Sequence, residues 1–439
     1  MHDVLDLREL LSDEIVQRRE SGYELDGAAA SLEPDSVPSD ELARRLDELE
    51  SLRRSPGWHY DEPSTWDEIV AARGEEPPTL PPLSLSEAEL RNRLHAAWLG
   101  RCAGCNLGKP FEGWGRDAIR SYLTAAGAFP LDDYVPLLDP VPDGLPALNE
   151  SWPETTRGRI RAMARDDDTD YTILALHLLE THGLDFTTED VAREWLLRLP
   201  FMQVYTAERA AYRNLILGLK PPLTARYRNP YREWIGAQIR ADVFGYVCPG
   251  DPEAAARLGF VDASLSHVAN GIYGEMWAAA LIGACFTATS MSEALAAALA
   301  VVPARSRLAE ALRHVAEQHA RGVSWDDLRD GLEQRYGSLS FVHTINNAAV
   351  VAAALLYGEA DFSRTIGLAV EGGWDTDCNG ATAGSAFGAM HGTDAIPEHW
   401  VAPLNDRIRS AIFGYDNSRI SELAERTLKL ALRHTPLHA

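Results

Sequence analysis

The stretch GGWDTDCNGATAGSAFGA (372–389) decides the fold. Two aspartates, Asp375 and Asp377, stand directly before a run of small residues with helical character. A second stretch, RDDDTDYT (165–172), repeats the arrangement about 200 residues earlier, with ILALHLLE following it. Adjacent carboxylates repel one another, so when buried together some must protonate or bind a cation. The positive end of a following helix favours ionised carboxylates beside it. Hard divalent cations such as Mg²⁺ and Mn²⁺ take oxygen ligands. Two such loops facing each other across a helical core would make a di-metal site from Asp166, Asp167, Asp168, Asp375 and Asp377.

Outward from these stretches the chain reads as all-α. Ala/Leu-rich helical periodicity recurs over 171–182, 189–199, 203–217, 267–289, 292–301, 306–321, 343–357, 364–371, 380–391, 403–413 and 418–433. Alternating strand patterns are nearly absent, and no period of 20–50 residues repeats, which excludes a solenoid. SEAE (86–89) fits a capping box opening a helix with Leu90, Leu94, Trp98 and Cys102. Within it Gly100, Gly104 and Gly108 recur every four residues, as a surface for close helix packing or a loop near ligand.

The first 85 residues read as a separate helical extension. Val4, Leu7, Leu11 and Ile15 fall at helical spacing, as do Leu42, Leu46, Leu49 and Leu52. TWDE (65–68) fits a capping box, and PPTLPP (77–82) is a stiff linker that sets the boundary between 1–85 and a compact domain at 86–439. Trp58, Tyr60 and Trp66 are expected to pack the extension onto the main domain.

The chain carries 41 Lys+Arg against 65 Asp+Glu, a net charge of −24 that argues against nucleic acid and anionic membranes as partners. The extension alone holds 21 acids and 8 arginines, so more than half of the excess is local. The acidic start MHDVLDLREL is unlike a secretory signal, the longest apolar runs fall short of a membrane span, and five cysteines suit a reducing compartment. The expectation is a cytoplasmic protein.

Four segments in order resemble the ADP-ribosylglycohydrolase family from about residue 90 to 430: GRCAGCNLGKPFEG (100–113), DDDTDYTILALHLLE (166–180), SHVANGIYGEMWAAALIGA (266–284) and AVEGGWDTDCNGATAGSAFGA (369–389). The resemblance implies an all-α fold holding two Mg²⁺ or Mn²⁺ ions. Asp166-Asp167-Asp168-Thr169 match the family's first ion-binding motif, TDDT, and Asp375-Thr376-Asp377-Cys378 its second, DTDT. It implies Asp167, Asp168, Asp375 and Asp377 as ligands, and Asp166 and Cys378, at the flanking motif positions, are further candidate metal contacts. Glu112 matches a family glutamate and is the expected base, with Asp167 as second choice. His267 matches a family histidine near the ribose; Gly373 and Asn379 are further candidate substrate contacts. The implied activity is metal-dependent hydrolysis of the glycosidic bond of an ADP-ribosyl or related ribosyl compound, free or attached to a protein. Such cleavage passes through an oxocarbenium-like state.

This chain departs from the family in ways that bear on the substrate. The first loop usually reads GDxxG, and here it is Gly104-Cys105-Asn106-Leu107-Gly108. TDDT has become DDDT, and the last Thr of DTDT has become Cys378, a poor ligand for Mg²⁺. The segment GNGxxMR, which helps hold the diphosphate in the family, is not recognisable in GAQIRADVFGYVCPG (236–250). Ion binding therefore carries over better than ADP-ribose, and a smaller ribosyl substrate is a serious alternative. Two rival readings are a non-catalytic relative that kept the fold and a DDxxD isoprenoid synthase built on Asp166, Asp167 and Asp170. The second lacks a second magnesium motif. CAGC (102–105) has the spacing of a redox pair but lies in a helical run, where small-residue packing explains it better.

Overall fold

The computed structural model describes residues 3–25, 37–74 and 78–435. Helices dominate it, and among the described residues pairing in the β sense is limited to isolated bridges such as Met163–Ile408. The expected all-α class is what the structure shows. Part of the polar stretch 21–38 and residue 77 of the proline-rich linker lie outside the described residues.

The central seam joins helix Glu87–Gly108 to helix Thr376–His391, running antiparallel. Glycine makes this possible. A Cβ on Gly104 would lie 1.9 Å from the carbonyl oxygen of Gly380, and one on Gly100 would lie 2.1 Å from that of Gly384. The seam continues to Gly108 against Thr376, whose hydroxyl donates to the Gly108 carbonyl at 2.8 Å. The four-residue glycine spacing is thus a packing surface, and it draws the start of Thr376–His391 against the end of Glu87–Gly108. Cys102 and Cys105 are buried in this helix as free thiols. Two wholly buried apolar helices, Asn270–Cys285 and Thr344–Tyr357, pack around the seam.

Most expected helices form within a few residues of their expected ends, but three local readings need correction. Residues 403–413 are not helical: Glu398–Val401 and the 3₁₀ turn Ala402–Leu404 give way to turns in which Asn405 and Asp406 take positive φ. Tertiary contacts override the apolar spacing there. Met163 and Arg407–Arg409 exchange backbone hydrogen bonds, Ser410 Oγ donates to Asp170, and the Asp406 carboxylate accepts from Ser421 N. The run expected to start at 203 begins as a helix at Thr206, after the 3₁₀ turn Phe201–Gln203. Ser86 and Glu89 close the expected capping box, whereas Thr65 spends its hydroxyl on the Glu68 carboxylate and leaves the backbone uncapped.

In the N-terminal segment, helices Leu7–Glu20 and Ser39–Glu50 pair through Leu10, Leu11, Ile15, Leu42, Leu46 and Leu49. Their shared apolar cluster includes Ala207, Ala210, Tyr231 and Trp234 of the main body. Buried ion pairs flank it: Glu14 accepts two hydrogen bonds from Arg232 (2.7 and 3.0 Å), and Glu62 pairs with Arg307 (2.8 Å). Trp66 packs on Phe260 with centroids 5.3 Å apart, and Tyr60 Oη donates to Glu310 at 3.1 Å.

Candidate active-site cleft

Both aspartate clusters sit at helix N-termini. Asp166 caps helix Asp167–His182, its Oδ1 accepting from Asp168 N at 2.9 Å. Asp167 and Asp168 therefore occupy the first turn, not the loop before it. Asp375 holds the N-cap position of Thr376–His391 without a side-chain capping bond, at the end of a tight turn in which Gly373 and Trp374 have φ of +75° and +68°. That turn is pinned from both sides. Trp374 exchanges backbone hydrogen bonds with the 113–114 segment, and Asn347 Oδ1 accepts from Asp375 N (3.2 Å) and Asn379 Nδ2 (2.8 Å).

The seam brings the two clusters together. Cys378 Sγ lies 3.1 Å from Asp168 Oδ2. Asp166, Asp167, Asp375, Asp377, Cys378 and Glu112 all line one cleft of about 900 Å³. Glu112 follows the 3₁₀ turn Lys109–Phe111, and its Oε2 accepts from Asn149 Nδ2 at 2.8 Å. Asp168 lies behind this surface, fully buried, with Arg101 Nη2 3.3 Å from its Oδ1.

Electrostatically the site is over-supplied with negative charge. The charge of Asp377, and then burial, push Glu112 well above the usual carboxylate range. Burial, then the charge of Asp166, raises Asp167 to about 8 and also lifts Asp168 well above the usual carboxylate range. Asp375 is pushed well up by burial and Asp377. Asp166 is the exception: burial works against its charge, but the Lys109 ammonium paired with it holds the carboxyl at about 2. A set of mutually repelling buried acids is what a divalent cation relieves. Asp377 Oδ1 is buried with no hydrogen-bond partner among the described residues. Ligand atoms of Asp375, Asp377 and Cys378 lie within 4.8 Å of one another, and so do those of Cys105, Asp166 and Asp168. The donor set fits divalent ions. The two thiols fit them least: burial first, then neighbouring carboxylates, push Cys105 and Cys378 well above the usual thiol range.

Three expected substrate contacts do not reach the cleft surface. His267 is buried beside a neighbouring cavity, its Nε2 3.8 Å from Glu208 Oε1 and without a hydrogen-bond partner among the described residues. Burial and Arg240 keep this imidazole neutral. Gly373 is close-packed, and a Cβ there would lie 2.9 Å from the backbone of Trp114 and Arg116. Asn379 is buried outside the cleft lining, its Nδ2 donating to Asn347 Oδ1 and its Oδ1 without a partner among the described residues. Asp170 also faces away, accepting from Ser410 Oγ, Ala411 N and Arg165, so the DDxxD triad does not converge on one cavity.

Other lining residues carry no local motif: Tyr205, Glu208, Trp234 and Phe341. Lys109 had a signal in hindsight, a lysine closing the glycine-spaced helix. Arg101, fully buried and bonded to Asp242 (2.7 Å) and the Asp168 carbonyl (2.7 Å), had another: a charge inside an otherwise apolar run.

No curated protein sequence matches the chain. A solved structure described as an ADP-ribosylglycohydrolase-related protein complex is similar at 21% identity and a TM-score of 0.49, over 79% of this chain and all of that one. The family model for ADP-ribosylglycohydrolase matches residues 86–436, a span that holds both aspartate clusters, the glycine seam and Glu112, and the chain therefore belongs to the ADP-ribosylglycohydrolase family.

Proposed function

We propose that the protein is a metal-dependent hydrolase of ribosyl glycosidic bonds. The observation that carries this reading is the convergence of two acidic helix N-termini in one cleft, with Glu112 beside them. Asp167, Asp168, Asp375 and Asp377 would hold two divalent ions, Mg²⁺ or Mn²⁺, with Asp166 held back by Lys109. When bound, such ions orient hydroxyl ligands and lower the pKa of a water.

The chain's own residues have distinct tasks. Glu112 faces the cleft, and the charge of Asp377 and then burial raise its proton affinity; from this place its carboxylate would take the proton of an attacking water. Asn149 fixes its orientation through Oε2 and leaves Oε1 for that task. Lys109 keeps Asp166 ionised, and Arg101 steadies Asp168 from behind. Cys378 donates its S–H to Asp168 Oδ2 and acts as a positioning group, not as a ligand. His267 is bonded through Nδ1 to Ser266 Oγ and has no part in the cleft lining.

The test is turnover of ribosyl substrates with added Mg²⁺ or Mn²⁺, alongside calorimetric titration of the metals. Asp375→Asn and Asp377→Ala should lose metal binding and turnover while circular dichroism keeps the helical signal. A protein that binds neither metal, with Asp375→Asn leaving activity unchanged, would defeat the reading in favour of a non-catalytic relative.

A further inference from the structure

The cleft is acidic beyond its metal-ligating aspartates. Eight carboxylates line it against two cations. Both cations are committed: Lys109 to Asp166, and Arg165 to Asp170 (2.8 Å) and the Gln203 carbonyl (2.8 Å). Two divalent ions would still leave the lining formally negative. Gly236 is the one glycine among the lining residues, the place where bare backbone could meet a phosphate, and that approach is closed. A Cβ built on Gly236 would lie 2.2 Å from Glu208 Oε1, so the Glu208 carboxylate already covers this glycine. Arg240, the guanidinium behind it, donates to the same carboxylate at 2.7 Å and is also paired with Asp262. Glu208 thus occupies the ground an anionic group would need and ties up the cation that would attract it.

Resting on the ribosyl-hydrolase reading above, we infer that the substrate is a ribosyl compound without a diphosphate, neutral or cationic where it meets this lining, and that Glu208 sets that preference. The carboxyl group offers an acceptor to a hydroxyl or a protonated nitrogen, and its position over Gly236 obstructs a phosphate, so discrimination comes from a built-in obstruction as well as an attraction. Phe341, exposed on the same cleft, offers an apolar face to a planar leaving group.

The experiment is calorimetric titration of the Mn²⁺-loaded full chain with nicotinamide riboside, its 5′-monophosphate and the corresponding dinucleotide. These probes share a cationic ribosyl core and differ in phosphate. Affinity is expected to fall at least tenfold from riboside to monophosphate and again to the dinucleotide. Glu208→Gln keeps an acceptor for Arg240 and should narrow the first gap at least threefold. Glu154→Lys, at the exposed rim, should narrow it as well and serves if Glu208→Gln misfolds. Equal or tighter binding of the phosphorylated probes, or an unchanged gap in the variants, overturns the inference and leaves the hydrolase reading standing. Failure to bind any ribosyl probe with metal bound overturns both.

Discussion

Gly104→Ala tests the seam on which both fold and site depend. The new Cβ would lie 1.9 Å from the Gly380 oxygen and 2.4 Å from its carbonyl carbon. Heavy atoms essentially never approach a Cβ closer than 3.0 Å, so the two helices must part by at least 1.1 Å along that line. The obstruction is backbone, with no rotamer to yield. Overpacking of this kind costs about 3 kcal/mol, offset by about 1 kcal/mol for replacing a helical glycine with alanine. The net expectation is a loss of about 2 kcal/mol in urea denaturation. Gly331, in helix Trp325–Tyr336, has nothing within 4 Å of its Cβ position, so Gly331→Ala should instead gain about 0.5–1 kcal/mol. Separation at Gly104 also draws Asp377 and Cys378 away from Asp168, so Mn²⁺ affinity should fall in Gly104→Ala and stay unchanged in Gly331→Ala. If both variants are stabilised alike, the glycines are not there for close approach and the argument fails.

The remaining predictions concern the site and one distant carboxylate. Glu112→Gln should lower kcat by about 10²–10⁴-fold with little change in KM, by steady-state kinetics; a normal kcat removes Glu112 as base. Cys378→Thr replaces a neutral thiol that contacts Asp168 with a hydroxyl, and titration should show Mg²⁺ affinity preserved or raised; a large loss would give the thiol its own role. Glu371 accepts from Leu131 N at 2.6 Å, and burial raises its carboxyl to about 7. Its folded pKa exceeds its unfolded one, so its stabilising contribution is complete below about 4.5 and is lost as pH rises through 7. Glu371→Gln should flatten that part of the stability–pH curve, and an equally steep decline in the variant would show the proton sits elsewhere.

What the sequence disclosed and what it hid divide along a physical line. The aspartate clusters were legible because each is a short motif whose caps and following helix are local. The glycine helix was legible because its spacing is a property of one element. Glu208, Trp234 and Phe341 were not, because each comes from a different element and gains its place only by long-range packing. Asp170 misled for the same reason: it sits inside the acidic motif, yet its partner Ser410 lies 240 residues away. Residues 403–413 kept a helical apolar pattern while their polar groups found better partners across the chain, and the partners won.

The N-terminal segment shows how a feature outside the family span can still bear on the cleft. The matched region starts at 86, but the apolar cluster of the two preceding helices closes on Ala207 and Trp234. Ala207 adjoins Glu208, and Trp234 itself lines the cleft. Beneath them Arg232 is held by Glu14, and Glu233 by Gln17 and Ser21, each at 2.9 Å. The acidity of this segment is therefore not all solvated surface: its buried acids are counter-charges for arginines of the body. Removing one partner of such a buried pair costs more than the pair contributes, because the other charge is stranded. Loss of Glu14 would strand Arg232 two residues from Trp234, so the part of the cleft lining that includes Trp234 is stabilised through the N-terminal segment. The acids on one side of the cleft are positioned by the glycine seam, and the lining that includes Trp234 by a segment that the rest of the family span does not contain.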